Sequence, residues 1–124
     1  AVGHDPSGHL NNAEAVLAVE MAARKGDASS QNALGVMYAK GIGVPTNYLR
    51  AAYWFQKAAD QRYAAAIYHL GVLYKAGPPG IKQDLARADN LFTASALAGY
   101  RPTMNQLQEL LSTADAGPHR AGHH

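Results

Sequence analysis

From Asn47 to Asp60 the apolar residues Ala51, Trp54, Phe55, Ala58 and Ala59 recur three and four positions apart, with Arg50, Lys57 and Asp60 among them. At 3.6 residues per turn this spacing places the apolar set on one face, so it predicts a helix over 47–60. The same kind of pattern returns along the chain at a fixed interval. Ala33-Leu34-Gly35-Val36-Met37-Tyr38 is matched by His69-Leu70-Gly71-Val72-Leu73-Tyr74, 36 residues on, and Ala22-Ala23 by Ala58-Ala59 at the same shift. Asn11 falls in register with Asn47. Past Tyr74 the shift grows to 37, because Gly77-Pro78-Pro79-Gly80-Ile81 is longer by one residue than Gly41-Ile42-Gly43-Val44. With that correction Asn47 meets Asp84, Phe55 meets Phe92, Ala59 meets Ala96, Tyr63 meets Tyr100 and Leu70 meets Leu107.

A repeat of this length reads as a supersecondary unit used several times. The pattern predicts two alternating kinds of helix. A helices are expected over 28–40, 64–76 and 102–113, and B helices over 12–25, 47–60 and 84–98. Local chemistry supports these cuts. Asn11 or Asn12, Asn47 and Asp84 each precede a helical run, where a short acceptor side chain caps free N–H groups. Ser29-Ser30 stand where they assist the start of a helix. Gly26, Gly41, Gly77 and Gly99 follow the runs, and Pro45 and Pro78-Pro79 fall in connections. A helix pair of this kind cannot hide its apolar face alone, and stacking pairs buries it. The expected fold is all-α: an α/α solenoid of antiparallel helix pairs, about six helices, with two full repeats and a half-repeat at each end. Residues 1–10 read as a flexible lead-in, 11–113 as the repeat domain and 114–124 as a flexible tail. Gly35 and Gly71 let a neighbouring helix approach closely, and Ala51 or Ala58, and Ala88 in the next pair, are the small residues expected to meet them. Tyr38, Tyr74, Trp54, Phe55 and Phe92 are expected to supply much of the buried area.

The residues Ala33-Leu34-Gly35, Tyr38, Gly41, Gly43-Val44, Asn47, Ala51, Trp54 and Lys57-Ala58-Ala59 carry a family resemblance. This run resembles the Sel-like repeat (SLR), which is related to the tetratricopeptide repeat. The second unit is similar through Tyr68, Leu70-Gly71, Tyr74, Gly77, Ile81, Asp84, Ala88, Phe92 and Ala96. It departs from the first at Pro78-Pro79 and at Leu91, which stands where Trp54 does. A third unit has Gln108 in place of the glycine and stops after its first helix. The resemblance covers about residues 12–113. It implies a non-enzymatic adaptor or scaffold that binds a peptide or another protein, often at the bacterial cell envelope.

Stacked pairs curve and leave a concave face lined mainly by A helices. With Leu34 and Tyr38 pointing inward, the candidates for that groove are Asn32, Val36 and Lys40 in the first unit, Tyr68, Val72 and Lys75 in the second, and Asn105 and Glu109 in the last. Three of them have a plainer reading. Tyr68 could pack between helices, and Lys40 and Lys75 could complement the negative ends of theirs. A second function class is an accessory or inhibitory subunit that regulates an enzyme through its loops, motivated by the Pro-rich loop 77–81.

Composition narrows the field. Hydrophobic residues make up 48% of the 124 and charged residues 16%, which suits a globular chain. The net charge is +2 and the basic residues are dispersed, so no nucleic-acid footprint stands out. Without cysteine there is no disulfide, thiolate or cysteine–zinc chemistry. No apolar stretch approaches the ~20 residues a membrane helix needs, so no direct membrane insertion is expected. His119, His123 and His124 read as part of a tail or as a tag remnant, and Pro118 and Gly122 argue against a metal-binding helix there. His4 and His9 read as solvated, and His69 as a surface or interfacial residue. No nucleophile turn, phosphate-cradling loop or carboxylate pair emerges, so no catalytic residue, metal or cofactor is expected. The terminal helices offer a surface for self-association. The chain begins at Ala1, as after removal of a targeting segment or a cut of the gene; this leaves the location open and leans towards a periplasmic or otherwise exported protein.

Overall fold

The structure, a computed structural model, describes residues 12–103. Five helices follow one another: α1 (Asn12–Arg24), α2 (Ala28–Lys40), α3 (Tyr48–Asp60), α4 (Ala64–Ala76) and α5 (Leu85–Leu97). Residues 101–103 are again helical, and there is no strand among the described residues. The architecture is the expected all-helical solenoid, with boundaries within two residues of those read from the repeat. The helix expected over 102–113 is described only in its first residues. The lead-in, the tail with its histidines, and Asn11, Asn105, Leu107, Gln108 and Glu109 lie outside the described residues.

Each helix packs on its neighbours in sequence, α1 on α2, α2 on α3, α3 on α4 and α4 on α5. Short turns (25–27, 61–63) alternate with longer loops (41–47, 77–84), so one end of the array carries the loops and the other the turns. The loop ends are built identically. Asn47 Oδ1 accepts from Arg50 N–H and Asp84 Oδ1 from Arg87 N–H, each at 3.0 Å. Asn47 N–H donates to Tyr38 O at 2.9 Å and Asp84 N–H to Tyr74 O at 2.8 Å. At α2 the cap is Asp27, not a serine. Its carboxylate accepts from Ser30 N–H at 3.1 Å and from the Ser29 and Ser30 hydroxyls, and these donors hold its pKa below the usual carboxylate range.

The core forms two clusters that share α3. Phe55 joins Ala51, Ala58, Ala66, Leu70 and Leu73, while Trp54 joins Val16, Ala23 and Leu34. Two consecutive aromatic residues thus serve interfaces on either side of one helix. The glycine contact differs from the expectation of alanine neighbours. A Cβ on Gly35 would lie 2.5 Å from Phe55 Cδ1 and Cε1, and one on Gly71 would lie 2.8 Å from Phe92 Cε1. A phenylalanine ring lies over each glycine, because the bare backbone leaves room for a flat ring where two small residues would leave a void. Of the other aromatic residues named, Tyr38, Tyr74 and Phe92 are half-buried instead of enclosed.

Three buried polar residues were not legible in the sequence. Gln31 donates from Nε2 to Ala23 O (3.1 Å), and Gln61 Nε2 donates to both Gln31 Oε1 (3.0 Å) and Gly26 O (2.8 Å), tying successive turns together. Ser95 Oγ lies 2.9 Å from Thr103 Oγ1, a buried pair that anchors residues 101–103 to α5.

The turn at Arg62 breaks the rule its counterparts follow. Gly26 and Gly99 adopt φ of +104° and +99°, and Arg62, at the same repeat position, is held at +63°. A side chain in the left-handed region costs roughly 1–2 kcal/mol, part of which glycine returns through the entropy of its unfolded chain. Arg62→Gly is therefore expected to stabilise the fold by about 0.5–1 kcal/mol. Denaturant unfolding with a midpoint equal to or below that of the unaltered chain would contradict this.

Candidate protein-interaction surface

The sequence proposes eight groove residues, six of which are described. Asn32 and Tyr68 occupy equivalent positions of α2 and α4, and the structure brings both beside His69. His69 Nδ1 lies 3.1 Å from Asn32 Oδ1, a bridge between the A helices of successive repeats. With the Asn32 oxygen as acceptor, the imidazole carries its proton on Nδ1. The ring stacks on Phe55 (centroids 5.1 Å, planes 27° apart) and meets Tyr68 edge-on at 5.7 Å. Burial pushes its pKa below the ordinary histidine value, and the Lys40 ammonium acts in the same direction. His69 is thus an interfacial residue, as expected, in surroundings that favour the neutral ring. Its importance was missed because Ala33 holds the equivalent place in the first unit.

Tyr68 is half-buried. Its ring also meets Phe92 at 5.5 Å and Tyr100 at 4.9 Å, so it packs across the second repeat into the start of the third. Its hydroxyl makes no hydrogen bond among the described residues. Val36 is half-buried and packs against the Phe55 cluster, whereas Val72 is 39% exposed. Lys40 is the last residue of α2 and Lys75 the last but one of α4; both are exposed and basic at a helix C-terminus. The A-helix face is therefore polar at Asn32 and His69, apolar at Val72 and basic at the loop end.

Three clefts lie away from these residues. One of about 620 Å³ opens between α1 and α3 over Tyr38, Arg50 and Trp54. Another of about 740 Å³ opens between α3 and α5 over Tyr74 and Arg87. A third, of about 460 Å³, sits at the turn end beside Gln31 and Gln61. None of the six groove residues lines any of them. Among the described residues, no three His, Asp or Glu side chains converge where a metal could sit, and no helix is long and apolar enough to cross a membrane.

The repeat geometry is that of a known family, whose model matches residues 28–63 and 64–100, each an A helix followed by a B helix. The chain belongs to the Sel1 repeat family. Within it α1 is the B helix of a preceding unit, and 101–103 open the A helix of a following one. The ERAD-associated E3 ubiquitin-protein ligase component HRD3B of Arabidopsis thaliana is 43% identical over 58 residues, 46% of this chain and 9% of that protein. DAP3-binding cell death enhancer 1 of Mus musculus is 30% identical over 111 residues, 90% of this chain and 20% of that protein. The crystal structure of a protective antigen present in uropathogenic Escherichia coli strains, which displays an SLR fold, superposes with a TM-score of 0.73 at 32% identity, over 84% of this chain and 22% of that one. The chain spans between 9% and 20% of the length of the curated relatives it matches. Sel1 repeat proteins generally mediate protein–protein interaction and are typically non-catalytic.

Proposed function

We propose that this Sel1 repeat chain is a protein-binding module that receives a peptide or helix of its partner on the A-helix face of α2 and α4. The observation that carries the reading is the Asn32–His69 bridge at 3.1 Å. It joins two successive A helices, while Val72, Lys40 and Lys75 stay exposed to a partner. A face with fixed polar groups, an exposed apolar residue and charges at its margin has the composition of an interface centre with its rim. The relatives named as a ligase component and as a DAP3-binding protein support the same class of activity.

The test is capture of a partner from the native extract, followed by mapping with surface variants. Val72→Glu/Lys75→Glu is expected to weaken binding by about tenfold or more, with unchanged helical circular dichroism. Altering Pro78 and Pro79 should leave binding intact. Loss of the partner in the Pro78/Pro79 variant alone would refute the A-helix site and favour an accessory subunit acting through its loops.

A further inference from the structure

The A-helix face leaves unexplained what the loop end of the B helices does. The cleft between α1 and α3 and the cleft between α3 and α5 both have Leu49 in their walls, so they form one continuous surface. That surface displays large apolar side chains to solvent: Leu49 is 62% exposed, Tyr53 55% and Leu85 55%. Each belongs to the first two turns of its B helix, and Gly80 of the following loop lies against Leu49, where an added Cβ would sit 3.3 Å from Leu49 Cγ.

Charge decides what such a surface accepts. Arg50 lies over the Tyr38 ring with Cζ 5.8 Å from its centroid, and Arg87 over Tyr74 at 4.5 Å. The two pairs occupy the same position in the two repeats. Stacking holds each guanidinium in place and leaves its N–H edge free for a carboxylate. Neither arginine has a carboxylate partner among the described residues. The acids of this surface are already engaged: Glu20 pairs with Arg24 at 2.5 Å, and Asp84 caps α5. Lys82 adds a further positive charge. Two like-charged copies meeting through this face would oppose guanidinium to guanidinium, which disfavours self-association here.

We propose that this loop-end surface docks an acidic amphipathic segment of a protein partner, with leucine-type side chains against Leu49, Tyr53 and Leu85 and carboxylates on Arg50 and Arg87. It is a second docking surface, separate from the A-helix face and independent of it.

The experiment measures fluorescence anisotropy of a fluorescein-labelled peptide Glu-Leu-Glu-Glu-Leu-Leu-Glu titrated with the intact chain. The same peptide with Lys for Glu and a single-stranded oligo-dT serve as comparison probes. The acidic peptide is expected to bind, the lysine peptide to bind at least about tenfold more weakly, and the oligonucleotide to compete poorly. Arg50→Glu/Arg87→Glu should lower the affinity for the acidic peptide by about tenfold or more, and Leu49→Ala/Tyr53→Ala by about fivefold or more. Arg50→Gln/Arg87→Gln provides the same reading should charge reversal perturb the fold. Val72→Glu/Lys75→Glu, which tests the other face, should leave this binding unchanged. Equal binding of the acidic and basic peptides, or indifference to the arginine substitutions, overturns the proposal. So does tighter binding of oligo-dT that ignores Leu49→Ala/Tyr53→Ala, which would make the surface a nucleic-acid site.

Discussion

Phe55→Ala is expected to remove about 3–5 kcal/mol of folding stability, the range for truncating a buried aromatic. Phe55 is 2% exposed and central to the larger core cluster. Its ring covers the backbone of Gly35 on one helix and stacks on His69 of another. The cavity closes only in part: Leu70, Leu73 and His69 border it, but Gly35 has no side chain and Ala51, Ala58 and Ala66 have nothing to extend into the space. A domain of this size holds roughly 5–15 kcal/mol in total, so this single change takes a large share of it. At about 4–8 °C per kcal/mol the melting temperature should fall by tens of degrees. Tyr53→Ala, two positions earlier on the exposed side of the same helix, is the control and should stay within about 0.5 kcal/mol. Chemical denaturation of both variants makes the comparison, and a loss below about 1 kcal/mol for Phe55→Ala would mean that this ring does not hold α2, α3 and α4 together.

The opposite change, filling a notch, is the second large effect. Gly71→Leu places a Cβ 2.8 Å from Phe92 Cε1 and 3.3 Å from Leu91 Cβ, so α4 and α5 must separate or Phe92 must leave its place. Overpacking of this kind costs about 1–3 kcal/mol. Leucine is the better helix former by close to 1 kcal/mol, so the measured loss is net of that gain. The ring is the cause, and a double-mutant cycle shows it. In a Phe92→Ala background the leucine side chain enters the vacated space, and the two substitutions should fall short of additive by about 1 kcal/mol or more. Strict additivity would place the strain elsewhere, and an unchanged melting temperature for Gly71→Leu would remove the close approach altogether.

Much of the fold was readable because it is local and repeated. Leu34-Gly35 with Tyr38, and Leu70-Gly71 with Tyr74, set the register, and Asn47 and Asp84 sit at their helix starts as caps. The arginine–tyrosine stacks were within reach of the same alignment, since Arg50 and Arg87 fall in register as Tyr38 and Tyr74 do, but their pairing joins residues more than ten positions apart. The six described groove candidates lie on α2 and α4, yet nothing in their spacing revealed that Val36 packs inward or that Tyr68 is wedged among Phe92, His69 and Tyr100. Gln31 was hidden for a related reason. A glutamine amid polar neighbours looks solvated until a turn carbonyl and Gln61 close over it.

The order of residues alone settled the helices, their ends, the repeat length and membership of a solenoid class, because hydrophobic periodicity, caps and turn glycines act over one or two turns of chain. Folding decided the rest. Which ring fills the notch of Gly35, which polar atoms meet across Asn32 and His69, and which faces stay open as clefts depend on the offset with which neighbouring helices cross. That offset arises from the packing of all the side chains between them, and no single stretch of chain encodes it.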